Sequence, residues 1–293
     1  MRKLSFIVFF LTISMFGALT NGALHAQEEE PSDSLAVLEA DSTMIDSNFV
    51  DPEAQEKHNQ GIDAFEIGNR DKAIQLFTEA IEIHPEFEEA FRNRAEVYMD
   101  MEQYDNAIKD YGEVATMSDS AHSAWYKMGR CHNFLGNLDE ALVFYNKAID
   151  AYKKSHSYYY HRGVIKFQQE DYEGAIQDFN LCLVNKSNFA YAYNDRGSAK
   201  RMLEDYRGAA EDYENAIRHN PRMSFAYANL GSVLRLQEKH EDAVREYNKA
   251  IQQDKDNITA YNNRGKTYFS LGEYQDAIED FTKAIELDEN YAF

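Results

Sequence analysis

The 293-residue chain is predicted to be all-α: seven helix–turn–helix units, fourteen helices in all, stacked into a solenoid. Three observations predict this. A small residue recurs every 34 positions, at Gly61, Ala95, Gly129, Gly163, Gly197, Gly231 and Gly265. An aromatic column keeps the same step, at Phe77, Tyr111, Tyr145, Phe179, Tyr213, Tyr247 and Phe281. Within each period the apolar residues return at helical spacing. A period of this length, held without insertion, marks a stacked repeat in which each copy buries its apolar face on the next.

The first element in chain order is a targeting segment. Arg2 and Lys3 precede an apolar run from Leu4 to Leu19, and TNGALHAQ follows with small residues. The run is shorter than the ~20 residues a membrane span needs, and its layout is that of a signal peptide. We expect residues 1–26 to be removed by cleavage near Ala26, the alternative being an uncleaved N-terminal anchor, with no membrane span in the mature chain and an exported, periplasmic or extracellular, location. Residues 27–53 come next, with nine acids, no Lys or Arg, and both Pro31 and Pro52. Such a stretch cannot bury enough apolar surface to offset its ordering entropy, so an acidic disordered linker is expected.

The repeats then run 54–87, 88–121, 122–155, 156–189, 190–223, 224–257 and 258–291, and 292–293 form the C-terminal end. In the last copy, 259–271 has apolar residues at helical spacing, Gly272-Glu273 breaks it, and 274–287 places Ala277, Ile278, Phe281, Ala284 and Ile285 on one stripe. The small residue of the first helix and the Ala column of the second let the two helices approach closely. A bulky side chain there would overpack, at a cost of ~1–3 kcal/mol. The aromatic column fills the space beside the small residues and is read as core.

This pattern resembles the tetratricopeptide repeat (TPR) family in its period, its A-x3-F/Y-x2-A spacing and, at Trp125 with Met128-Gly129, its W-x2-L-G signature. The resemblance covers 54–291. It implies a right-handed superhelix whose first helices line a concave surface, where partners bind as peptides or protein segments. Two departures stand out. The proline usual near the end of the second helix is present only as Pro85 and Pro221, and the glycine usual at the turn is replaced by Glu102, Glu170, Glu204 and Glu238. The second departure leaves the shape of four turns open.

Composition and motifs limit the chemistry. The formal charge is −21, which argues against nucleic acid as a partner, because phosphates need a Lys/Arg excess. There is no H-E-x-x-H, G-x-S-x-G, Walker loop or Cys pair at zinc spacing. No metal, cofactor or catalytic set is therefore expected. The nine His are scattered, with His156 and His161 on different helix faces. Cys131 and Cys182 sit on helices that should not bring them together, and are read as small core residues.

Placed on the family's frame, the concave positions of the first two units are Phe65, Glu66, Glu89, Arg92, Glu96 and Asp100. Those of units three to seven are Tyr126, Lys127, Arg130, Tyr160, Phe167, Tyr191, Asn194, Arg201, Phe225, Arg235, Lys266 and Phe269, with Asp195 the one acid among them. Nine of the 51 acids lie in the linker, which leaves 42 against 28 bases in the repeats, yet this inner face is basic and aromatic. Such a face would attract an acidic polypeptide. The amides Asn59, Asn93, Asn229 and Asn263 recur on the same helices, either as a clamp on a peptide backbone or as links between helices. The clamp by which some TPR proteins hold a C-terminal carboxylate is incomplete: His58, Ile62, Asn93, Ser123 and Lys127 stand at its positions.

DENYAF at 288–293 resembles the entry to a further unit (compare SNFAYAY at 187–193), so the last helix is expected to leave apolar surface open to self-association. The functional expectation is a non-catalytic interaction scaffold in cell-envelope assembly or regulation. The alternative is a binding subunit or degenerate relative of an envelope enzyme, with catalysis supplied by a partner.

Overall fold

The computed structural model describes residues 50–118 and 121–288. The signal-peptide reading, nearly all of the linker and the last five residues lie outside them. Among the described residues there are fourteen α-helices and no strand: α1 Pro52–Glu66, α2 Arg70–Ile83, α3 Glu88–Asp100, α4 Tyr104–Met117, α5 His122–Phe134, α6 Leu138–Ala151, α7 His156–Gln168, α8 Tyr172–Asn185, α9 Ala190–Met202, α10 Tyr206–His219, α11 Ser224–Leu236, α12 His240–Gln253, α13 Ile258–Leu271 and α14 Tyr274–Leu287. Odd-numbered helices are the first helices of the hairpins and even-numbered ones the second. The first helix begins at Pro52, two residues before the expected unit boundary. Asp51 caps it by accepting from the amide of Glu53 at 2.8 Å, and Pro52 suits a helix start because its missing N–H would have no partner there.

The chain divides into two compact bodies, at Ile165 and Lys166 within α7. In the N-terminal body, α1 pairs with α2, α3 with α4 and α5 with α6, and each pair packs on the next. In the C-terminal body, α9 pairs with α10, α11 with α12 and α13 with α14, again in sequence. The first helices α9 and α11 also touch, as do α11 and α13, and α1 touches α3 in the other body. Among the described residues the second helices make no comparable contact with one another, so within each body the first helices lie on the inner side.

Close approach within a hairpin explains the small-residue column. A Cβ added at Gly129 would stand 2.7 Å from the Tyr145 ring, and one at Gly231 would stand 2.8 Å from Tyr247. The rings of Phe77, Tyr111, Tyr145, Phe179, Tyr213 and Tyr247 are almost wholly buried, whereas Phe281, on the last second helix, is half-buried. Cys131 and Cys182 are buried and unbridged, and burial pushes both thiols up to about 12. Cys131 packs its sulfur 2.9 Å from Met99 Sδ.

The turns settle the question left by the four glutamates. Gly68, Gly136 and Gly272 have φ of 77 to 79°, and Glu102, Glu170, Glu204 and Glu238 have φ of 58 to 64°. All seven hairpins therefore turn through the same left-handed residue, with or without glycine. After each, an amide donates back five residues: Asn69 to Ala64, Asn137 to His132 and Asp205 to Lys200, at 2.8–2.9 Å. That bond satisfies a helix-end carbonyl, and its recurrence fixes the hairpin geometry.

Candidate functional site: the first-helix face

The inner face rests on a polar ladder that the sequence reading did not identify. Arg94, Arg196 and Arg264 each grip an aspartate 16 residues later, Asp110, Asp212 and Asp280, with Nε and one terminal nitrogen together. The Nε distances are 2.8–2.9 Å. The remaining nitrogen reaches back to the preceding hairpin, to Thr78 Oγ1 at 2.9 Å from Arg94 and to Asn180 Oδ1 at 2.6 Å from Arg196. Arg162 reaches Asn146 at 2.7 Å in the same manner. The aspartates are buried, and the fork of a guanidinium matches a carboxylate at two points. These arginines hold hairpins together. Their signal was visible as Arg at multiples of 34 residues followed 16 residues later by Asp.

In the N-terminal body the predicted groove residues are largely engaged with one another. Arg92 pairs with Glu88, and Asp100 with Arg70. Lys127 Nζ lies 3.3 Å from Glu96, whose carboxylate also accepts from the buried Tyr111 hydroxyl at 2.7 Å. Asn93 Nδ2 lies 2.8 Å from His58 Nε2 on α1. Tyr126 and Tyr160 are buried rather than presented to a partner. Tyr126 packs on Tyr158 with ring centres 4.7 Å apart and on His161 at 5.5 Å, and Tyr160 meets His161 edge-on at 5.3 Å. Arg130 lies over Tyr126 and Phe134. Burial first, then the charges of Arg130, His156 and Lys127, push the His161 imidazole down to about 3. Phe65 is at the edge of exposure, and Glu66 and Glu89 are exposed.

In the C-terminal body Asn194 is buried. It donates to Asp195 at 2.9 Å and accepts from Asn229 of the next first helix at 3.0 Å. Asn263 donates to Ser232 at 3.2 Å. The recurring amides thus link successive first helices, the second of the two roles the sequence left open, while Asn59 accepts from Gln55 within α1. Tyr191 and Phe225 stack on each other at 6.3 Å, and Phe167 meets Tyr172 edge-on at 5.1 Å. Phe269 is exposed and meets Tyr274 at 5.5 Å.

Arg201 and Arg235 are placed differently from the ladder arginines. Each lies beside a buried tyrosine hydroxyl, Tyr213 and Tyr247 respectively, whose other neighbour is Ser198 Oγ at 3.1 Å or Ser232 Oγ at 3.2 Å. The Nε of each arginine is buried with no hydrogen-bond acceptor. Lys266 on α13 is pushed below its ordinary value, chiefly by burial and then by the charge of Arg235. The motif behind this is Gly-Ser-x-x-Arg, present at 197–201 and again at 231–235.

Among the described residues no three His, Cys, Asp or Glu side chains group as metal ligands, and no helix is long and apolar enough to cross a membrane.

Comparison with known proteins agrees with this architecture. Sequence models described as tetratricopeptide repeat match residues 86–154, 156–183 and 258–291, and one described as TPR repeat matches 231–272. Heat shock protein STI1 of Saccharomyces cerevisiae is 33% identical over 86 residues, which is 29% of this chain and 15% of that protein's length. A crystal structure of MamA is similar with a TM-score of 0.52 at 27% identity, over 56% of this chain and 95% of MamA. A tetratricopeptide repeat protein from Parabacteroides merdae shares the fold with a TM-score of 0.64 at 19% identity, over 82% of this chain and 94% of its own. With the 34-residue period, the small–aromatic contact and seven identical turns, these matches show that the chain belongs to the tetratricopeptide repeat family.

Proposed function

We propose that the chain is an exported, non-catalytic scaffold that holds an extended polypeptide segment against the first-helix face of its hairpins, in the assembly or regulation of a cell envelope. The observation that carries this reading is the position of the first helices on the inner side of each body, with cationic and aromatic side chains half-exposed along them. Arg2, Lys3 and the apolar run to Leu19 support export. Mass measurement of the mature protein should give a chain that begins just after Ala26.

A photo-crosslinking residue at Phe65 or Phe269, both on first helices, should capture a protein partner in extract from the source cells. The same residue at Val143 or Val184, exposed at 51% and 80% on second helices, should capture none. Crosslinks confined to Val143 and Val184 would overturn the reading. A second contact of the same scaffold is with another copy of the chain. Ile278 and Ile285 of α14 are 58% and 48% exposed, whereas the equivalent Val244 and Ile251 of α12 are half-buried beneath the next hairpin. Light scattering should show a mass that rises with concentration and falls back with Ile278→Glu. A constant monomer mass at high concentration removes this contact.

A further inference from the structure

We infer that Arg201 and Arg235 form a two-carboxylate site that reads two acidic side chains of one extended segment, and that Lys266 reinforces it. The inference rests on the groove reading above and names its chemistry. Each arginine stands the same way, one repeat apart, beside a tyrosine hydroxyl that a serine also meets: Tyr213 with Ser198, and Tyr247 with Ser232. The helices that carry them, α9 and α11, are in contact, and α11 touches α13, which carries Lys266.

The missing partner is the informative feature. Arg94, Arg196 and Arg264 show what this scaffold does with a structural arginine: it supplies an aspartate at two points. No carboxylate among the described residues is paired with Arg201 or Arg235, in a chain of 51 acids. Each instead keeps a buried Nε–H without an acceptor. A buried donor left unmet is destabilising, and such a group calls for a specific reason. An incoming carboxylate supplies the acceptor and the countercharge together, at two points per guanidinium. Asp195, the acid nearest to them in sequence on this face, is wholly buried and takes the amide of Asn194.

Geometry and charge narrow the ligand further. Neighbouring helices pack about 10 Å apart, and an extended chain in the polyproline II conformation advances about 3.1 Å per residue and returns a side chain to the same face every third residue. Two acids three residues apart therefore reach both guanidiniums from one face of the segment. A nucleic acid carries a charge at every step and meets a protein of net charge −21. A short acidic peptide presents its charge only where the arginines stand.

The test is fluorescence anisotropy on the whole mature chain. The probe is a labelled 15-residue Ser/Gly peptide with two glutamates three residues apart, set against a twin with glutamines and a 15-nucleotide single-stranded DNA. We expect the glutamate peptide to bind more tightly than the twin, and Arg201→Gln with Arg235→Gln to weaken it at least tenfold. The lysine pair, R201K with R235K, should fall between, because it keeps the charge and loses the fork. Arg207→Gln with Arg245→Gln, exposed on the second helices, should change binding less than twofold. Circular dichroism and the unfolding midpoint confirm that each variant is folded. The proposal is overturned by undiminished binding in the glutamine variant, by equal affinity for the twin, or by no wild-type binding up to millimolar peptide. It is equally overturned if the DNA binds more tightly than the peptide and is lost with the same pair. If the crosslinks at Phe65 and Phe269 persist in the glutamine variant, the groove reading stands and this site falls. If wild type gives no first-helix crosslinks, the groove reading itself falls.

Discussion

The two bodies are built from one hairpin, yet their inner faces are opposite in kind. In the N-terminal body the charges cancel locally: Arg92 with Glu88, Lys127 with Glu96, Asp100 with Arg70. In the C-terminal body Arg201 and Arg235 have no acid partner among the described residues. One column accounts for much of the difference. In three hairpins the residue after the small one meets the buried tyrosine hydroxyl. It is Glu96 above Tyr111, but Ser198 above Tyr213 and Ser232 above Tyr247. A neutral serine satisfies the hydroxyl and adds no charge, whereas Glu96 satisfies the hydroxyl and also offsets the charge of Lys127. The scaffold is therefore indifferent to the character of its inner face, which a few side chains set without disturbing the small–aromatic contact.

What the bodies share should be the most sensitive to mutation. Asp212 is held by Arg196 and by Lys200 at 2.7 Å, and Asp110 by Arg94. Asp212→Ala leaves the half-buried Arg196 and Lys200 without their countercharge and should lower stability by about 2–4 kcal/mol, with Asp110→Ala close behind. Urea unfolding measures both. A loss below about 1 kcal/mol in either would break the claim that one ladder supports both bodies.

Acid should separate the bodies next. Burial pushes His58, His132 and His161 of the N-terminal body below their ordinary value. A histidine lowered by folding is neutral in the native state, so its stabilisation is complete above about pH 6.5. It is lost as pH falls from there towards 3, the value of His161, by at most about 1.4 kcal/mol per pH unit for each group. Hydrogen exchange should rise in residues 121–165 before it rises in 206–288, and His161→Phe should flatten the profile. Exchange that rises first in the C-terminal body would contradict this.

The inner faces themselves differ by a smaller amount. Glu96→Ala leaves the Tyr111 hydroxyl without its acceptor and should cost about 1–3 kcal/mol. Arg201→Leu removes a buried Nε–H that has no acceptor together with a contact to the Tyr213 hydroxyl, which Ser198 still meets, and should change stability by less than about 1 kcal/mol. Equal losses would show that Arg201 is part of the scaffold after all, and would remove the distinction between the faces.

The sequence reveals the fold because the 34-residue step puts Gly231 against Tyr247 and Gly129 against Tyr145 in every copy, and periodic contacts leave periodic letters. The groove is less legible for a specific reason. Position on a helix says which way a residue starts out, not what its neighbours do with it. Tyr126 and Asn194 start towards the inner face and are then covered by Tyr158 and Asn229 of the next first helix, while Tyr160 is buried with its ring against the adjacent His161. The ladder went unrecognised because the gripping Arg and Asp lie 16 residues apart on two helices, a spacing no single-helix pattern displays. Arg201 and Arg235 differ from Arg196 and Arg264 only in register, five residues or so along the helix, and that register decides whether an aspartate is within reach.

The smallest effect tests the turns, which set the hairpin in both bodies. Gly136 and Gly272 adopt the left-handed conformation with no side-chain cost, whereas Glu204 and Glu238 adopt it with φ of 63 and 62°. A left-handed L-residue costs roughly 1–2 kcal/mol, and glycine recovers that at the expense of a looser unfolded chain. Glu204→Gly and Glu238→Gly should each raise stability by about 0.5–1 kcal/mol, read from the urea midpoint, and removing a negative charge from a helix C-terminus acts in the same direction. Gly136→Glu should cost about as much in the other body. If Glu204→Gly destabilised instead, the glutamate side chain would have to be holding the turn, and the shared backbone bond from Asp205 to Lys200 would not be sufficient to set the hairpin.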